Sequence, residues 1–262
     1  MAAQSRVGSR STFPRGLRQP PDSYRFGEEA LLLGSWSARI LNQWLDGKKT
    51  RPEKVPVAEL GSGCGAALFA HLLLVPEAVG AGFEREEMLI DAARVNAANL
   101  GLAARASFRH FEIGSDKITE PGSTRLVMAN PPWRKRGTGR ETASRARRDA
   151  MTREDDNARF YRCAARLLAP RGFFCLILPL VDFCEFCVAV SRSEMGVRRA
   201  LPLASFPGKD PDRALICCQK QAASDPGFHY PLTLYTKKDG KPAPTQEALT
   251  LCPWLGQNRR QL

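Results

Sequence analysis

Between residues 55 and 195, short apolar runs alternate with segments of helical periodicity, and this alternation limits the possible folds most strongly. Strands are expected at Val55–Leu60, Ala78–Phe83, Ala106–Phe111, Leu126–Ala129 and Phe173–Leu178. Helices are expected at Glu28–Leu45, Ala66–Leu74, Glu86–Leu100, Asp155–Leu168 and Asp182–Ser193. Strands that alternate with helices form a largely parallel sheet covered on both faces. The expected fold class is therefore α/β, with a doubly wound, mostly parallel sheet.

The two ends of the chain complete this organisation. Further strands are expected within residues 197–221 and 230–236, and a last short helix at Thr245–Leu251. Residues 1–18 contain four arginines and no acidic residue, and several prolines in residues 1–21 oppose an amphipathic helix. We predict a disordered basic arm over residues 1–21 and a single domain over residues 22–262.

The net charge of +12 and the pI of about 9.7 favour a polyanionic partner, nucleic acid first and an anionic membrane surface second. No apolar run reaches transmembrane length. Most of the eight cysteines lie in apolar runs, which indicates a reducing compartment, the cytoplasm. Cys184 and Cys187 have CxxC spacing without a second pair, so we expect buried helix positions and no metal.

A glycine-rich turn, Gly61-x-Gly63-x-Gly65, joins the first strand of the alternation to its helix. Glycine lets the backbone turn tightly and approach a ligand, and Glu84 at the end of the next strand could accept hydrogen bonds from a ribose diol. With Ala66 the turn also satisfies the dinucleotide pattern G-x-G-x-x-A. Three alternating glycines, and only one mononucleotide-type half before Asn130, favour S-adenosylmethionine instead.

Asn130-Pro131-Pro132-Trp133 follows the fourth expected strand. An exocyclic amine of adenine or cytosine is a poor nucleophile, because its lone pair is delocalised into the ring. The Asn130 side-chain oxygen and the Pro131 carbonyl could accept from its two N–H groups and draw it towards a tetrahedral geometry. Trp133 could stack on the base. The sulfonium is already a strong electrophile, so the protein would mainly supply alignment.

These residues resemble a known family. The Glu59–Gly65 loop, Glu84 and Asn130–Trp133 are similar to the cofactor loop, ribose acid and catalytic motif of class I amino-methyltransferases. Residues 24–33 and 231–247 resemble the corresponding parts of the tRNA1(Val) (adenine-N6)-methyltransferase family, so the match spans about residues 20–255. The resemblance implies a Rossmann-like, seven-stranded sheet with a short N-terminal helical extension, and S-adenosylmethionine as the cofactor.

The resemblance also implies roles for individual residues. The residues expected to hold the cofactor are Glu59, Gly61, Ser62, Gly63, Gly65, Glu84, Glu112 and Asn130. Of these, Glu59 and the glycine loop would contact the methionine part. Glu84 would contact the ribose, and Glu112 would contact the adenine amine. Asn130, Pro131, Pro132 and Trp133 would hold the target, which in this family is N6 of the adenine beside a tRNA anticodon. Glu59 and Glu112 stand where the family usually has Asp, and Trp133 stands where Tyr or Phe is usual.

A basic segment follows the motif. Arg134, Lys135, Arg136, Arg140, Arg147 and Arg148 are expected to contact RNA phosphates, and Arg198, Arg199, Lys237 and Lys238 to extend that surface. Phosphate contacts position a strand but do not read its sequence. An anticodon-loop base is already unpaired, so its extrusion costs little.

Two other functions stay open: methylation of a protein glutamine amide, as on release factors, and RNA binding by a module with a vestigial cofactor site. The short stretch before the glycine loop speaks against the first, and the intact loop and Asn130 speak against the second. His71, His110 and His229 are expected to pack or to face solvent. The chain is expected to be a monomer or a homodimer without membrane contact.

Overall fold

The computed structural model describes residues 10–21, 23, 25–114, 121–131 and 154–257. Its α-helices are α1 (Glu28–Asp46), α2 (Ala66–Leu74), α3 (Glu87–Asn99), α4 (Glu154–Leu167), α5 (Phe183–Ser191) and α6 (Gln246–Leu251), with 3-10 turns at Arg10–Thr12 and Leu180–Asp182. Its strands are β1 (Val55–Leu60), β2 (Ala78–Glu84), β3 (Ala106–His110), β4 (Thr124–Ala129), β5 (Leu168–Pro179), β6 (Met195–Ala204), β7 (Arg213–Lys220), β8 (Gly227–Phe228), β9 (Leu232–Thr233), β10 (Tyr235–Lys238) and β11 (Lys241–Pro244).

The central sheet has the strand order β3-β2-β1-β4-β5-β7-β6-β8, with β9 also paired to β6. Strands β1 to β5 are parallel, and β7 runs antiparallel to both of its neighbours. This confirms the doubly wound, mostly parallel sheet. The expected count of seven strands is corrected to nine, because two-residue strands β8 and β9 add to the outer edge of β6.

Both faces of the sheet are covered by helices. Along β4, Leu126 and Met128 belong to a core cluster that includes residues of α1, α2 and α3. Val127 and Ala129, which alternate with them, belong to a second cluster that includes residues of α4 and α5. A strand buried on both faces has apolar residues at successive positions instead of every second one. The uninterrupted apolar run therefore follows from the doubly wound arrangement.

Residues 10–21 pack against the domain, so the predicted disordered arm is wrong for this part. Phe13 is buried, and its ring meets that of Trp254 edge to face, with the centroids 4.9 Å apart. The Arg18 backbone N–H donates to Asn96 Oδ1 over 2.7 Å, and Asn96 Nδ2 donates to the Arg18 carbonyl over 3.0 Å. These contacts join the segment to both α3 and the C-terminal end of the domain.

The start of β5 also differs from expectation. We expected α4 to run to Leu168 and the strand to begin at Phe173, but β5 already begins at Leu168, which pairs with Thr124. The pairing register shifts between Thr124 and Leu126, and Arg171 has a φ of 60°. The early start of β5 depends on its pairing with β4. The apolar pattern of residues 168–172 alone gives no information about that pairing, so the sequence did not predict it.

Within the described ranges, no helix is long and apolar enough to cross a membrane. The same ranges contain no group of three or more His, Cys, Asp or Glu side chains able to hold a metal ion. Cys184 and Cys187 lie on α5, as expected, but Cys184 is exposed and Cys187 is only partly buried. The expectation of buried positions is therefore wrong for Cys184.

Candidate active site

The carboxyl ends of β1, β2 and β4 bring the candidate residues to one edge of the sheet. Leu60, the last residue of β1, pairs with Phe83 on one side and with Ala129 on the other. The residues that follow these three, Gly61, Glu84 and Asn130, therefore lie in neighbouring positions along the edge. Open α/β sheets bind ligands outside the carboxyl ends of their strands.

The glycine loop uses its glycines for different purposes. Gly61, Gly63 and Gly65 have φ angles of 69°, 52° and 91°, which favour glycine. A Cβ atom at Gly65 would lie 2.6 Å from the Phe69 ring, whereas one at Gly63 would meet nothing within 4 Å. Gly65 is thus required by packing, and Gly63 faces open space where a ligand could approach the backbone.

Glu84 is held by the backbone around it. Its side chain is largely buried, and Oε2 accepts the Gly63 N–H over 2.8 Å. Oε1 accepts the N–H groups of Arg85 and Glu86 over 2.8 and 3.1 Å. A carboxylate has about four acceptor positions, so these three bonds orient Glu84 and leave it capacity to accept from a hydroxyl group.

Glu59 lies beneath the glycine loop and is almost fully buried. Its Oε2 accepts the Leu68 backbone N–H over 2.9 Å at the first turns of α2. Burial raises the pKa of the Glu59 carboxyl well above its usual value, the Leu68 hydrogen bond lowers it, and the charge of Glu84 raises it further. A cationic group placed beside Glu59 would favour the ionised form again.

Ser62 and Gly63 provide a test of whether these residues fit a bound cofactor. The Ser62 hydroxyl oxygen is buried and has no hydrogen-bond partner among the described residues. Buried polar atoms are normally hydrogen-bonded, so an orphaned hydroxyl points to a missing partner. The Ser62 oxygen lies on the inner side of the loop, towards Gly82, whereas the open space at Gly63 fits a ligand seated on the loop.

Asn130 is half-buried and Pro131 is buried, directly after β4. Glu112 is exposed two residues beyond β3, whose last residue, His110, pairs with Glu84. The other predicted site residues lie outside the described residues: Pro132, Trp133, Arg134, Lys135, Arg136, Arg140, Arg147 and Arg148. The structure thus brings together the loop, Glu59, Glu84 and the position of Asn130.

Asn96 is a site residue that the sequence analysis missed. It is buried on α3, and its Nδ2 donates to the Cys64 carbonyl in the glycine loop over 3.1 Å. The same side chain bonds the Arg18 backbone in both directions. Asn96 therefore fixes the loop to the N-terminal segment. A polar amide on the apolar face of an alanine-rich helix was the available signal.

Of the three histidines, one is buried and two are exposed. His71 is fully buried on α2, and its Nδ1 shares a 2.8 Å hydrogen bond with the Ser37 hydroxyl. Burial, with the charge of Arg105, lowers the pKa of His71 to about 3, so the ring is neutral at pH 7. His110 and His229 are exposed.

No protein-family model matches the chain. It is 26% identical to the tRNA1(Val) (adenine(37)-N6)-methyltransferase of Dickeya chrysanthemi, over 77% of this chain and 75% of that protein. Proteins with the same name from Cronobacter sakazakii and Yersinia pestis are 24% and 25% identical, over 73% and 76% of this chain and 74% and 75% of theirs. The chain therefore has distant relatives that carry this name.

Comparison with solved structures identifies the fold. A predicted O-methyltransferase from Agrobacterium tumefaciens matches 89% of this chain and all of its own, with a TM-score of 0.64 and 20% identity. The chain has a methyltransferase fold. The methyltransferase subunit of a type I restriction-modification system from Streptococcus thermophilus matches 87% of this chain and 51% of its own, with a TM-score of 0.59 and 15% identity.

Proposed function

We propose that this protein transfers a methyl group from S-adenosylmethionine to N6 of an adenine in RNA, with a tRNA anticodon loop as the substrate and the cytoplasm as its location. The observation that carries the proposal is the common edge at which Asn130 stands beside the glycine loop and Glu84. The distant relatives named as tRNA adenine-N6-methyltransferases support the choice of substrate.

The glycine loop and its two acids would hold the cofactor. The open space at Gly63 admits a close approach of the cofactor to the backbone. Glu59 lies near enough to the loop to face the ammonium of the amino-acid part, and Glu84 has acceptor capacity for a ribose hydroxyl. When bound, S-adenosylmethionine supplies an electrophilic methyl group on a sulfonium.

Asn130 and Pro131 would activate the acceptor. The Asn130 side-chain oxygen and the Pro131 carbonyl would accept from the two N–H groups of the adenine amine, which would draw the nitrogen towards a tetrahedral geometry and withdraw its lone pair from the ring. The new N–C bond forms as the S–C bond breaks, and the amine then loses a proton to water. Alignment at about 3 Å supplies most of the acceleration, so no strong general base is required.

The test is Asn130→Ala, compared with Asn99→Ala, a substitution at a similarly half-buried asparagine on α3. We expect Asn130→Ala to keep most of its affinity for S-adenosylhomocysteine, because seven of the eight residues expected to hold the cofactor remain, and to lose turnover by about 100-fold or more. Turnover is measured as N6-methyladenosine, by mass spectrometry of nucleosides from treated RNA. Normal methylation by Asn130→Ala would overturn the acceptor role.

Two further outcomes separate the other functions. With labelled cofactor and total RNA or total protein as acceptors, label on protein alone would assign a glutamine amide as the target. Calorimetry that detects no binding of S-adenosylmethionine at millimolar concentration would assign an RNA-binding module with a vestigial site. Either result would overturn the proposed reaction.

A further inference from the structure

A single buried amide joins the glycine loop to the N-terminal segment, residues 10–21. Asn96 on α3 is only 1% exposed. Its Oδ1 accepts the Arg18 backbone N–H over 2.7 Å, and its Nδ2 donates to the carbonyl oxygens of Arg18 and Cys64 over 3.0 and 3.1 Å. A side-chain amide has two N–H donors and one oxygen acceptor. Asn96 therefore uses both of its donors and its acceptor to connect two parts of the chain that are far apart in sequence.

The glycine loop is held from two sides. On one side, Glu84 at the end of β2 accepts the Gly63 N–H over 2.8 Å. On the other side, Asn96 donates to the Cys64 carbonyl. Gly63 and Cys64 are consecutive, so these two bonds fix the loop immediately beside the space that is open to a ligand at Gly63. The shape of the loop at that space therefore depends on Asn96 as well as on Glu84.

The N-terminal segment is also anchored at a second place. Phe13 is buried, and its ring meets that of Trp254 near the other end of the chain, with the centroids 4.9 Å apart. Leu17 is partly buried against the main hydrophobic core. The next side chain, that of Arg18, is exposed, so Arg18 meets Asn96 through its backbone alone. The segment thus has its own packing, and it shares its attachment at Asn96 with the glycine loop.

Two parts of a protein that share one anchoring side chain are coupled energetically. If the N-terminal segment detached, Asn96 would lose two of its three hydrogen bonds, and its amide would no longer be oriented towards the Cys64 carbonyl. A ligand that requires the native shape of the loop therefore favours the attached segment. By thermodynamic linkage, a segment that strengthens ligand binding is in turn held more firmly by the ligand, and by the same factor.

We propose that Asn96 is a positioning residue for the cofactor, and that through it the N-terminal segment and the glycine loop respond to cofactor binding as one unit. The inference rests on the proposed function for the identity of the ligand, S-adenosylmethionine. Asn96 acts through the Cys64 carbonyl and takes no part in methyl transfer. The N-terminal segment then contributes to cofactor affinity, although it precedes the glycine loop by about 40 residues in the sequence.

The first experiment measures the affinity for S-adenosylhomocysteine by calorimetry. A protein that lacks residues 1–18, and Asn96→Ala in the full chain, should each bind at least about fivefold more weakly than the wild type. A protein that lacks residues 1–9, and Arg18→Ala, which keeps the backbone of the segment, should bind like the wild type. Removal of residues 1–18 should cost no further affinity in Asn96→Ala, because the connection between segment and loop is already lost.

Hydrogen exchange tests the reciprocal effect in the unmodified protein. The Arg18 amide hydrogen is donated to Asn96, so it reports attachment of the segment directly. Saturating S-adenosylhomocysteine should slow its exchange by the same factor, at least about fivefold, while amides of the β10–β11 hairpin keep their rates. In Asn96→Ala, the Arg18 amide should exchange quickly with and without the ligand. Asn99→Ala, a substitution on the same helix, should behave like the wild type.

An unchanged exchange rate at Arg18 in the wild-type protein would overturn the coupling, and this measurement decides the matter even where Asn96→Ala does not fold. Independent, additive losses of affinity in the truncated Asn96→Ala protein would also overturn it, because they would show that the segment and Asn96 act separately.

Failure of the proposed function gives a different result. A protein that binds S-adenosylhomocysteine and protects Arg18, but forms no N6-methyladenosine, would retain the coupling and lose only the proposed reaction. A protein that methylates RNA without protecting Arg18 would keep the reaction and lose the coupling. A protein that does not bind S-adenosylhomocysteine would overturn both.

Discussion

At the scale of single residues, the glycines of the candidate site differ in what requires them: packing within the protein, or space for a ligand. Gly65 needs to be glycine because Phe69 fills the space beside it. Gly63 has no such neighbour, although its φ of 52° also favours glycine. The difference allows the cost of backbone strain to be separated from the cost of obstructing a ligand.

Gly63→Ala should weaken cofactor binding much more than it weakens the fold. Gly240→Ala in the β10–β11 turn is the matched control, because Gly240 has a φ of 73° and its Cβ would also meet nothing within 4 Å. Both substitutions should cost about 1–2 kcal/mol of stability through the left-handed backbone. Calorimetry with S-adenosylhomocysteine should show at least a tenfold loss of affinity for Gly63→Ala alone. Equal affinities would show that the space at Gly63 is not used.

Glu59 makes folding and cofactor binding depend on pH in opposite directions. Burial raises its pKa well above the usual 4.5, so the folded protein keeps a proton that the unfolded chain releases. Without a ligand, the contribution of Glu59 to stability therefore falls as pH rises above 4.5. An ammonium group beside the carboxylate favours its ionised form, so binding should release that proton.

The affinity for S-adenosylhomocysteine should accordingly increase with pH over the range in which free Glu59 titrates, by at most about tenfold per pH unit. Calorimetry in buffers with different ionisation enthalpies measures the proton released on binding. Glu59→Gln, which can still accept the Leu68 N–H, should abolish this release, and the exposed Glu53→Gln should not. Proton release that persists in Glu59→Gln would assign it to another group.

At the scale of elements, α1 is held against α2 at a point without a side chain. A Cβ atom at Gly34 would lie 2.3 Å from the Ala67 carbonyl oxygen and 2.7 Å from the Ala70 Cβ. The adjoining Leu31, Leu32 and Leu33 are all completely buried. Helix α1 is thus buried at this point, and it can approach α2 this closely only because Gly34 has no side chain.

Gly34→Ala should destabilise the domain by about 1–3 kcal/mol, because the added methyl group would overlap the Ala67 carbonyl oxygen, a backbone atom that cannot move away by rotating a side chain. Gly47→Ala at the end of the same helix is the control, since its nearest contact would be an ordinary 3.6 Å. Urea unfolding followed by circular dichroism gives both values. A Gly34→Ala protein as stable as Gly47→Ala would mean that α1 can shift away from α2.

An element was predictable when residues close to it in sequence determine where it begins and ends, and it was not when distant pairing partners do. The bounds of β1 and α2 were predicted to the residue, because a glycine loop separates an apolar run from a helical pattern. The start of β5 was not, because Leu168 joins the strand through Thr124. The two-residue strands β8 and β9 have no periodicity of their own and depend on β6.

The same distinction holds in the candidate site. The positions of the glycine loop and Glu84 were predictable because their order along the chain follows the order of β1, α2 and β2, and their roles in holding the cofactor stay predictions. Asn96 was missed because its partners, Arg18 and Cys64, are far away in sequence. The roles of Glu59 and Glu112 came from the resemblance alone and stay predictions.

At the scale of the whole molecule, contacts between the chain ends close the domain. Arg15 Nε donates to the Gln257 carbonyl over 2.8 Å, and Phe13 meets Trp254. The Tyr235 hydroxyl donates to Glu28, which also accepts from Arg213 over 2.9 Å. Basic residues outnumber acidic ones by 39 to 27 over the complete sequence, which gives the surface a positive field.

This positive field predicts a strong salt dependence of RNA binding. Cations that contact phosphates release counterions, so affinity for a stem–loop RNA should fall by at least about tenfold between 50 and 200 mM salt. Fluorescence titrations over this range give the slope of log affinity against log salt. S-adenosylhomocysteine, which has no net charge, should show almost no change in the same buffers. A flat response for RNA would oppose phosphate contacts as a main source of affinity.

The small strands beside β6 also affect how the protein behaves in concentrated solution. An uncovered outer strand offers a row of free amide and carbonyl groups to which another polypeptide can add. Here β8 pairs with Arg199–Ala200 and β9 with Leu203–Ala204, while the Asp225 N–H donates to the Val197 carbonyl over 3.0 Å. The chain therefore covers β6 with its own backbone, and the two-residue strands left at this edge offer few free groups to which another polypeptide could add.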